Sequence, residues 1–146
     1  MPFDLLLQMP AIKFFMMVPG LMLAIAFLQS GWDKIVQRQG NLDWFKGHFS
    51  KTMLGRWPSG ALTYLTLLEL GAGVSYVVFW ISAFWFSPAL HIALSLWLGF
   101  NGVTLVSLFL GQRLAGDYAG AANINGYTLI YLAGAVLKMA FISLSV

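Results

Sequence analysis

Three polar side chains stand inside long apolar stretches of this sequence, where they could do chemistry: Glu69, Asn101 and Lys138. Counted from the nearest polar segments at 1.5 Å per helical residue, all three lie roughly 12 to 17 Å deep. A lone charge at the centre of a membrane costs about 2.5 to 3.5 kcal/mol on insertion scales. The matched depths therefore predict that Glu69 and Lys138 face the interior and pair, with Asn101 bonded to either one.

Such a pair has a structural and a functional interpretation. Buried polar side chains often set the register of packed helices, although interhelical hydrogen bonds in membranes average only about 0.6 kcal/mol. The functional alternatives are a ligand site, a proton relay and a contact to a partner subunit. The residue types alone do not choose among these four.

A second polar group is the stretch GQRLAGDYAGAANING at residues 111–126. Its Gln112, Arg113 and Asp117 fall at the same end of the apolar segments as Asp33 and Lys34. We predict a polar network that joins these five residues and closes this end of the protein. The alternative is an ordinary solvated loop in which Arg113 is a cytoplasmic positive charge.

The elements that must position these residues are helices. The chain is 60% hydrophobic and 9% charged, against about 25% charged residues in soluble domains. We therefore predict an all-α membrane protein, a bundle of four transmembrane helices. About 20 apolar residues are needed to span a bilayer, and four segments qualify: 11–32, 61–86, 88–110 and 127–146. Ser87-Pro88 supplies a helix start and separates the second span from the third.

The segment between the first two spans is also patterned. In residues 41–53 the apolar side chains of Leu42, Phe45, Phe49 and Met53 recur at helical spacing. This predicts a short amphipathic helix on the membrane surface.

Several function classes are excluded by composition. The chain has no cysteine, so thiolate zinc sites and cysteine-held iron–sulfur clusters are impossible. A net charge of +3 without a basic cluster argues against nucleic acid as a partner. His48 and His91 fall at opposite ends of the spans, so they cannot ligate one haem. We predict no metal site.

Three motifs, taken together, resemble the DoxX-like family of small four-helix bacterial membrane proteins: FLQSGWDKI, LLELGAG and the GQRLAGDYAGAANING stretch. The last is most similar to Bacteroidetes-type members. The family name comes from a subunit of a thiosulfate:quinone oxidoreductase, so the resemblance implies a quinone-linked component of the bacterial cytoplasmic (inner) membrane. It marks Lys34, Glu69, Arg113 and Asp117 as site candidates and supplies no agreed catalytic residue.

Orientation follows from charge. The 33–60 and 111–126 segments carry six of the eight basic residues; they are Lys34, Arg38, Lys46, Lys51, Arg56 and Arg113. The positive-inside rule predicts that both segments are cytoplasmic and both termini outside.

Two main functions fit these features. The first is a small integral subunit of a larger membrane complex, respiratory or quinone-linked. The second is a stand-alone quinone-binding, oxidoreductase-like membrane protein. A third is a small transporter or ion pathway through Glu69 and Lys138, although four spans leave little room for the repeats of transporters. We predict the bilayer as a partner and quinone or lipid as ligand, with no cofactor held by the chain's own side chains.

Overall fold

The computed structural model describes residues 10–85 and 90–143, and the side chains of residues 17–82 and 91–140. These residues form five α-helices and one 3₁₀ turn, with no strand in the described ranges. The helices are α1 (Pro10–Val36), α2 (Arg38–His48), α3 (Pro58–Trp85), α4 (Leu90–Ala115) and α5 (Tyr118–Ser143), and the 3₁₀ turn is Met53–Arg56. The predicted all-helical fold is confirmed.

Four long helices form the body of the molecule. Helix α1 packs against α3 and α5, and α4 packs against the same two helices, so the four close into a ring. Large side chains of α1, α3 and α4 form the core of this ring, including Leu23, Phe27, Phe79 and Trp97, and α5 adds the smaller Ile124 and Ala135. Because helices pack along one stripe of their surface, the outer faces of all four remain exposed.

Two of these helices are long and apolar enough to cross a membrane, as judged on the described residues: Pro58–Ser82 and His91–Ala115. They overlap most of the second and third predicted spans, 61–86 and 88–110, but begin and end at different residues. The predicted break at Ser87-Pro88 lies outside the described residues. That α1 and α5 also cross the membrane stays a prediction.

The predicted helix between α1 and α3 is present but begins earlier and ends earlier than expected. Helix α2 covers Arg38–His48 rather than residues 41–53, and the 3₁₀ turn follows it. Thr52 begins that turn, since its hydroxyl oxygen accepts a hydrogen bond from the Leu54 N–H at 3.2 Å. Phe45 and Phe49 pack against Leu62 of α3 in a second, smaller core. Their burial holds α2 across one end of the bundle.

The polar stretch at 111–126 is not the loop that was expected. Helix α4 continues to Ala115, and α5 begins at Tyr118, so only Gly116 and Asp117 connect them. Gly116 has a φ of +75°, a left-handed conformation that glycine adopts without strain. The Asp117 carboxylate accepts a hydrogen bond from the Gly120 N–H at 2.8 Å, as an N-cap residue does. The polarity of this stretch therefore belongs to two helix ends.

Candidate ligand-binding cavity

An ion pair between a buried carboxylate and a mostly buried ammonium joins α1 to α3. The Lys34 ammonium lies 2.8 Å from one carboxylate oxygen of Glu69 and 3.1 Å from the other. It also donates to the Ser30 hydroxyl at 2.7 Å, and that hydroxyl donates to Glu69 at 3.2 Å. Glu69 is 2% exposed and Lys34 12% exposed. Each charge thus has a partner, and the pair is neutral as a unit.

The predicted pairing of Glu69 with Lys138 is wrong. The prediction that Glu69 and Lys138 face the interior is confirmed, because both side chains are buried. Asn101 is buried as well. The partner is Lys34 because α1 continues past the predicted end of its apolar segment to Val36. This extension places Lys34 one helical turn beyond Ser30, on the same face of α1 and next to α3.

A cavity of about 1010 Å³ opens above this pair. It lies between the ends of the long helices on one side and α2 with the 3₁₀ turn on the other. Lys34 and Glu69 are the only charged residues among the described residues that line it. Ligand pockets usually measure about 300 to 1,000 Å³ and combine apolar walls with a few placed polar groups. This cavity has that character, at the upper end of the size range.

Aromatic side chains form much of the cavity wall. Those that line it are Phe27, Trp44, Phe45, Phe49, Trp57, Tyr64 and Tyr127. Rings of this kind bind flat ligands through stacked or edge-on contacts. The cavity therefore has a polar, charge-balanced floor and a wall suited to a planar group.

Helix α2 covers the cavity and is tied down at both of its ends. His48 and Gln112 share a hydrogen bond of 3.0 Å, which links the end of α2 to α4. Trp44 stacks on the His48 ring, with the ring centroids 4.3 Å apart. At the other end, the Arg38 guanidinium donates to the Thr63 hydroxyl of α3. These contacts hold the aromatic wall in place.

The outer face of α2 carries exposed polar side chains that bond one another. The Gln39 amide donates to the Asp43 carboxylate at 3.0 Å, and Lys46 lies 3.2 Å from it. The hydrogen bond from Gln39, and then the one from Lys46, hold the pKa of Asp43 below its usual value.

The predicted network of Asp33, Lys34, Gln112, Arg113 and Asp117 does not form. Lys34 turns inward to Glu69, and Gln112 bonds His48. Arg113 lies over the Tyr118 ring at 4.5 Å. Asp117 caps α5, and Asp33 is exposed on α1. The five residues share one end of the molecule, but only Lys34 and Gln112 of the five line the cavity.

Asn101 and Lys138 do not line the cavity. The Asn101 amide donates to the Trp97 carbonyl at 2.9 Å and to the Ala72 carbonyl at 3.4 Å. The Lys138 amine lies 3.9 Å from the centre of the Trp97 ring. It has no hydrogen-bond partner among the described residues.

Ser30, Trp44 and His48 were missed as site residues. Ser30 and Lys34 stand four positions apart in FLQSGWDK, the spacing that places two side chains on one helix face. That signal was available in the sequence. The roles of Trp44 and His48 had no local signal, because both depend on how α2 folds back onto α4.

No family model, curated protein or solved structure matches this chain. Among the described residues, no three His, Cys, Asp or Glu side chains come together as a metal site would require. Fold and site together define an all-helical protein with two helices apolar enough for a membrane. At one end it carries a large, mostly apolar cavity over a buried ion pair.

Proposed function

We propose that the protein is a four-span protein of the bacterial inner membrane that binds a neutral, lipid-soluble ligand of the quinone class in the cavity above Lys34 and Glu69. The single observation that carries this proposal is the charge-balanced pair at the floor of an aromatic-walled cavity. The DoxX-like resemblance is part of the same proposal.

A four-span arrangement is supported by the outer faces of the helices. Helices α1 and α5 have 27 and 26 residues, and at 1.5 Å per residue each is roughly 40 Å long. Their outer faces expose large apolar side chains, as those of α3 and α4 do; examples are Met22 and Ile25 on α1 and Leu129 and Val136 on α5. Exposed apolar surface of this extent is rare on soluble monomers and suits lipid contact.

The orientation predicted from the basic residues can be tested by cysteine labelling, because the chain has no cysteine of its own. We expect a membrane-impermeant maleimide to label His91→Cys in intact spheroplasts. We expect Gln39→Cys and Lys51→Cys to react only after permeabilisation, because the positive-inside rule places them in the cytoplasm. All three positions are exposed in the structure. Labelling of positions 39 and 51 in intact spheroplasts would reverse the orientation.

The floor of the cavity favours a neutral head group. Lys34 and Glu69 carry +1 and −1, so the described lining has no net charge. An anionic head group beside Glu69 would leave an uncompensated charge in a poorly solvated site. A quinone carbonyl can accept a hydrogen bond from the Lys34 ammonium, and a quinol hydroxyl can donate one to the Glu69 carboxylate. An isoprenoid tail fits the apolar part of the wall.

Ligand binding is tested with a short-chain ubiquinone, whose binding we expect to quench the fluorescence of Trp44 and Trp57 in the cavity wall. Ala26 lines the cavity, and Ala26→Phe should weaken binding at least tenfold, about 1.4 kcal/mol, because the new ring occupies the ligand's volume. The matched control is Ala133→Phe on the exposed face of α5, which should bind as the wild type does. Equal affinity in both variants would rule out the cavity as the site.

The competing proposal is that the chain is a small subunit of a larger membrane complex. Native mass measurement after extraction in mild detergent distinguishes this function from that of a stand-alone quinone-binding protein. A chain that travels alone and retains quinone supports a self-sufficient quinone-binding protein. A chain found only with larger subunits, and without quinone when separated from them, supports the subunit function.

A further inference from the structure

Lys138 is a buried amine in a box of aromatic rings. Its Nζ atom lies 3.9 Å from the centre of the Trp97 ring, 5.3 Å from that of Tyr76 and 5.4 Å from that of Phe79. Gly20 of α1 closes another side, since a Cβ atom built there would lie 2.5 Å from Nζ. The side chain is 1% exposed.

No acidic side chain in the described part of the chain pairs with this amine. Of the acidic residues in the described part of the chain, Glu69 is paired with Lys34, and Asp33, Asp43 and Asp117 lie at the α2 end. Tyr76 is the titratable group that faces the box from α3, and its hydroxyl donates to the Met17 carbonyl at 3.0 Å. Helix α1 contributes Gly20, and α4 contributes Trp97; neither carries a charge.

The surroundings of Lys138 therefore stabilise both the protonated and the neutral form of its amine, each by a different interaction. Three aromatic faces stabilise the ammonium form through cation–π attraction. Burial with neither a carboxylate nor a hydrogen-bond acceptor among the described residues stabilises the neutral form, because an isolated charge is costly to remove from water. The three rings and Gly20 pack closely around the amine, so a proton is the ligand small enough to enter.

A line of polar groups leads from the box toward the cavity. Asn101 and Thr104 lie on the same face of α4 as Trp97, one and two turns nearer the cavity, and both are fully buried. The Oδ1 atom of Asn101 has no hydrogen-bond partner among the described residues. Ser107, one turn further along α4, lines the cavity. The Trp97-to-Ser107 distance along the helix is about 15 Å.

We propose that Lys138 is a proton-binding site in the core of the bundle, and that its amine takes up and releases one proton while the protein stays folded. On uptake a hydronium ion at the cavity gives up one proton: one O–H bond breaks and leaves a water molecule, the nitrogen lone pair forms one N–H bond, and the side chain gains one positive charge. This site is separate from the proposed quinone site and does not depend on it.

The test is ¹⁵N NMR of the wild-type protein in lipid bilayers, with the lysine side-chain nitrogens labelled. The chain has five lysines, and an ordinary lysine, with a pKa of about 10.4, stays an ammonium below about pH 9. We expect one of the five signals to change from amine to ammonium as the pH is lowered from about 9 to about 6, and the others to keep their ammonium shifts.

Two controls make the result decisive. Lys138→Met should remove the titrating signal; if that variant does not fold, a through-space correlation to the labelled Trp97 ring assigns it in the wild type. A Lys138 signal that stays ammonium over the whole range would make the residue a fixed cation over aromatic rings, and the proposal would be wrong. A signal that stays a neutral amine would overturn it as well.

Discussion

Glu69→Gln is expected to lower the free energy of unfolding by about 3 to 5 kcal/mol, as the loss of one partner from a buried ion pair does. The substitution keeps the size of the side chain and removes its charge. The Lys34 ammonium is then left with neutral acceptors alone, Ser30 and the amide oxygen of the new glutamine, and with no opposite charge from Glu69. Lys34→Met should cost a similar amount, because it leaves the 2%-exposed carboxylate of Glu69 without its cation.

The double variant should be more stable than the sum of the two single losses predicts. A neutral pair of similar volume removes both charges together, so no uncompensated charge remains. Unfolding by denaturing detergent in mixed micelles measures all three variants. Additivity within about 0.5 kcal/mol would mean that the two residues do not interact.

Two controls distinguish the loss of the Lys34–Glu69 ion pair from a general dependence of stability on charged residues. Asp43→Asn breaks the exposed pair with Lys46, whose side chains are both more than half exposed, and should leave stability unchanged. Glu69→Gln combined with Lys138→Met should show additive effects, because the two side chains do not bond each other. Strong coupling of Glu69 with Lys138 and none with Lys34 would contradict the structure.

Trp97→Ala is expected to cost about 3 to 5 kcal/mol, the usual loss for a large aromatic side chain cut back in a core. Trp97 is 0% exposed. It packs on the Tyr131 ring at 5.5 Å and covers the Lys138 amine at 3.9 Å. Its removal opens a void between α4 and α5 and takes the nearest aromatic face from the amine.

The matched control is Trp32→Ala, because Trp32 is 62% exposed at the end of α1 and should change stability by no more than about 0.5 kcal/mol. Trp97→Phe should give an intermediate loss, since a ring remains against Lys138. The same unfolding measurement compares the three variants. Equal losses for Trp97→Ala and Trp32→Ala would show that Trp97 is not a core residue.

The sequence by itself determined the helical class and the burial of Glu69, Asn101 and Lys138. Both are local properties: a run of apolar residues of span length predicts a helix, and Glu69, Asn101 and Lys138 each stand in the middle of such a run. The amphipathic spacing of Leu42, Phe45 and Phe49 likewise identified α2, because a repeat of about 3.6 residues is visible without the rest of the fold.

Only the tertiary structure decided which of these residues meet. Counting along a helix gives the depth of Glu69 and Lys138, but not the direction in which each side chain points, and every further residue turns that direction by about 100°. Polar sequence at helix ends was also mistaken for loop: α1 continues four residues past its predicted end at 32, α4 continues five past 110, and α5 begins nine before 127. The Lys34–Glu69 pair and the cavity above it need α1, α2, α3 and α4 in place together. They therefore depend on contacts between residues far apart in the chain, which no local pattern records.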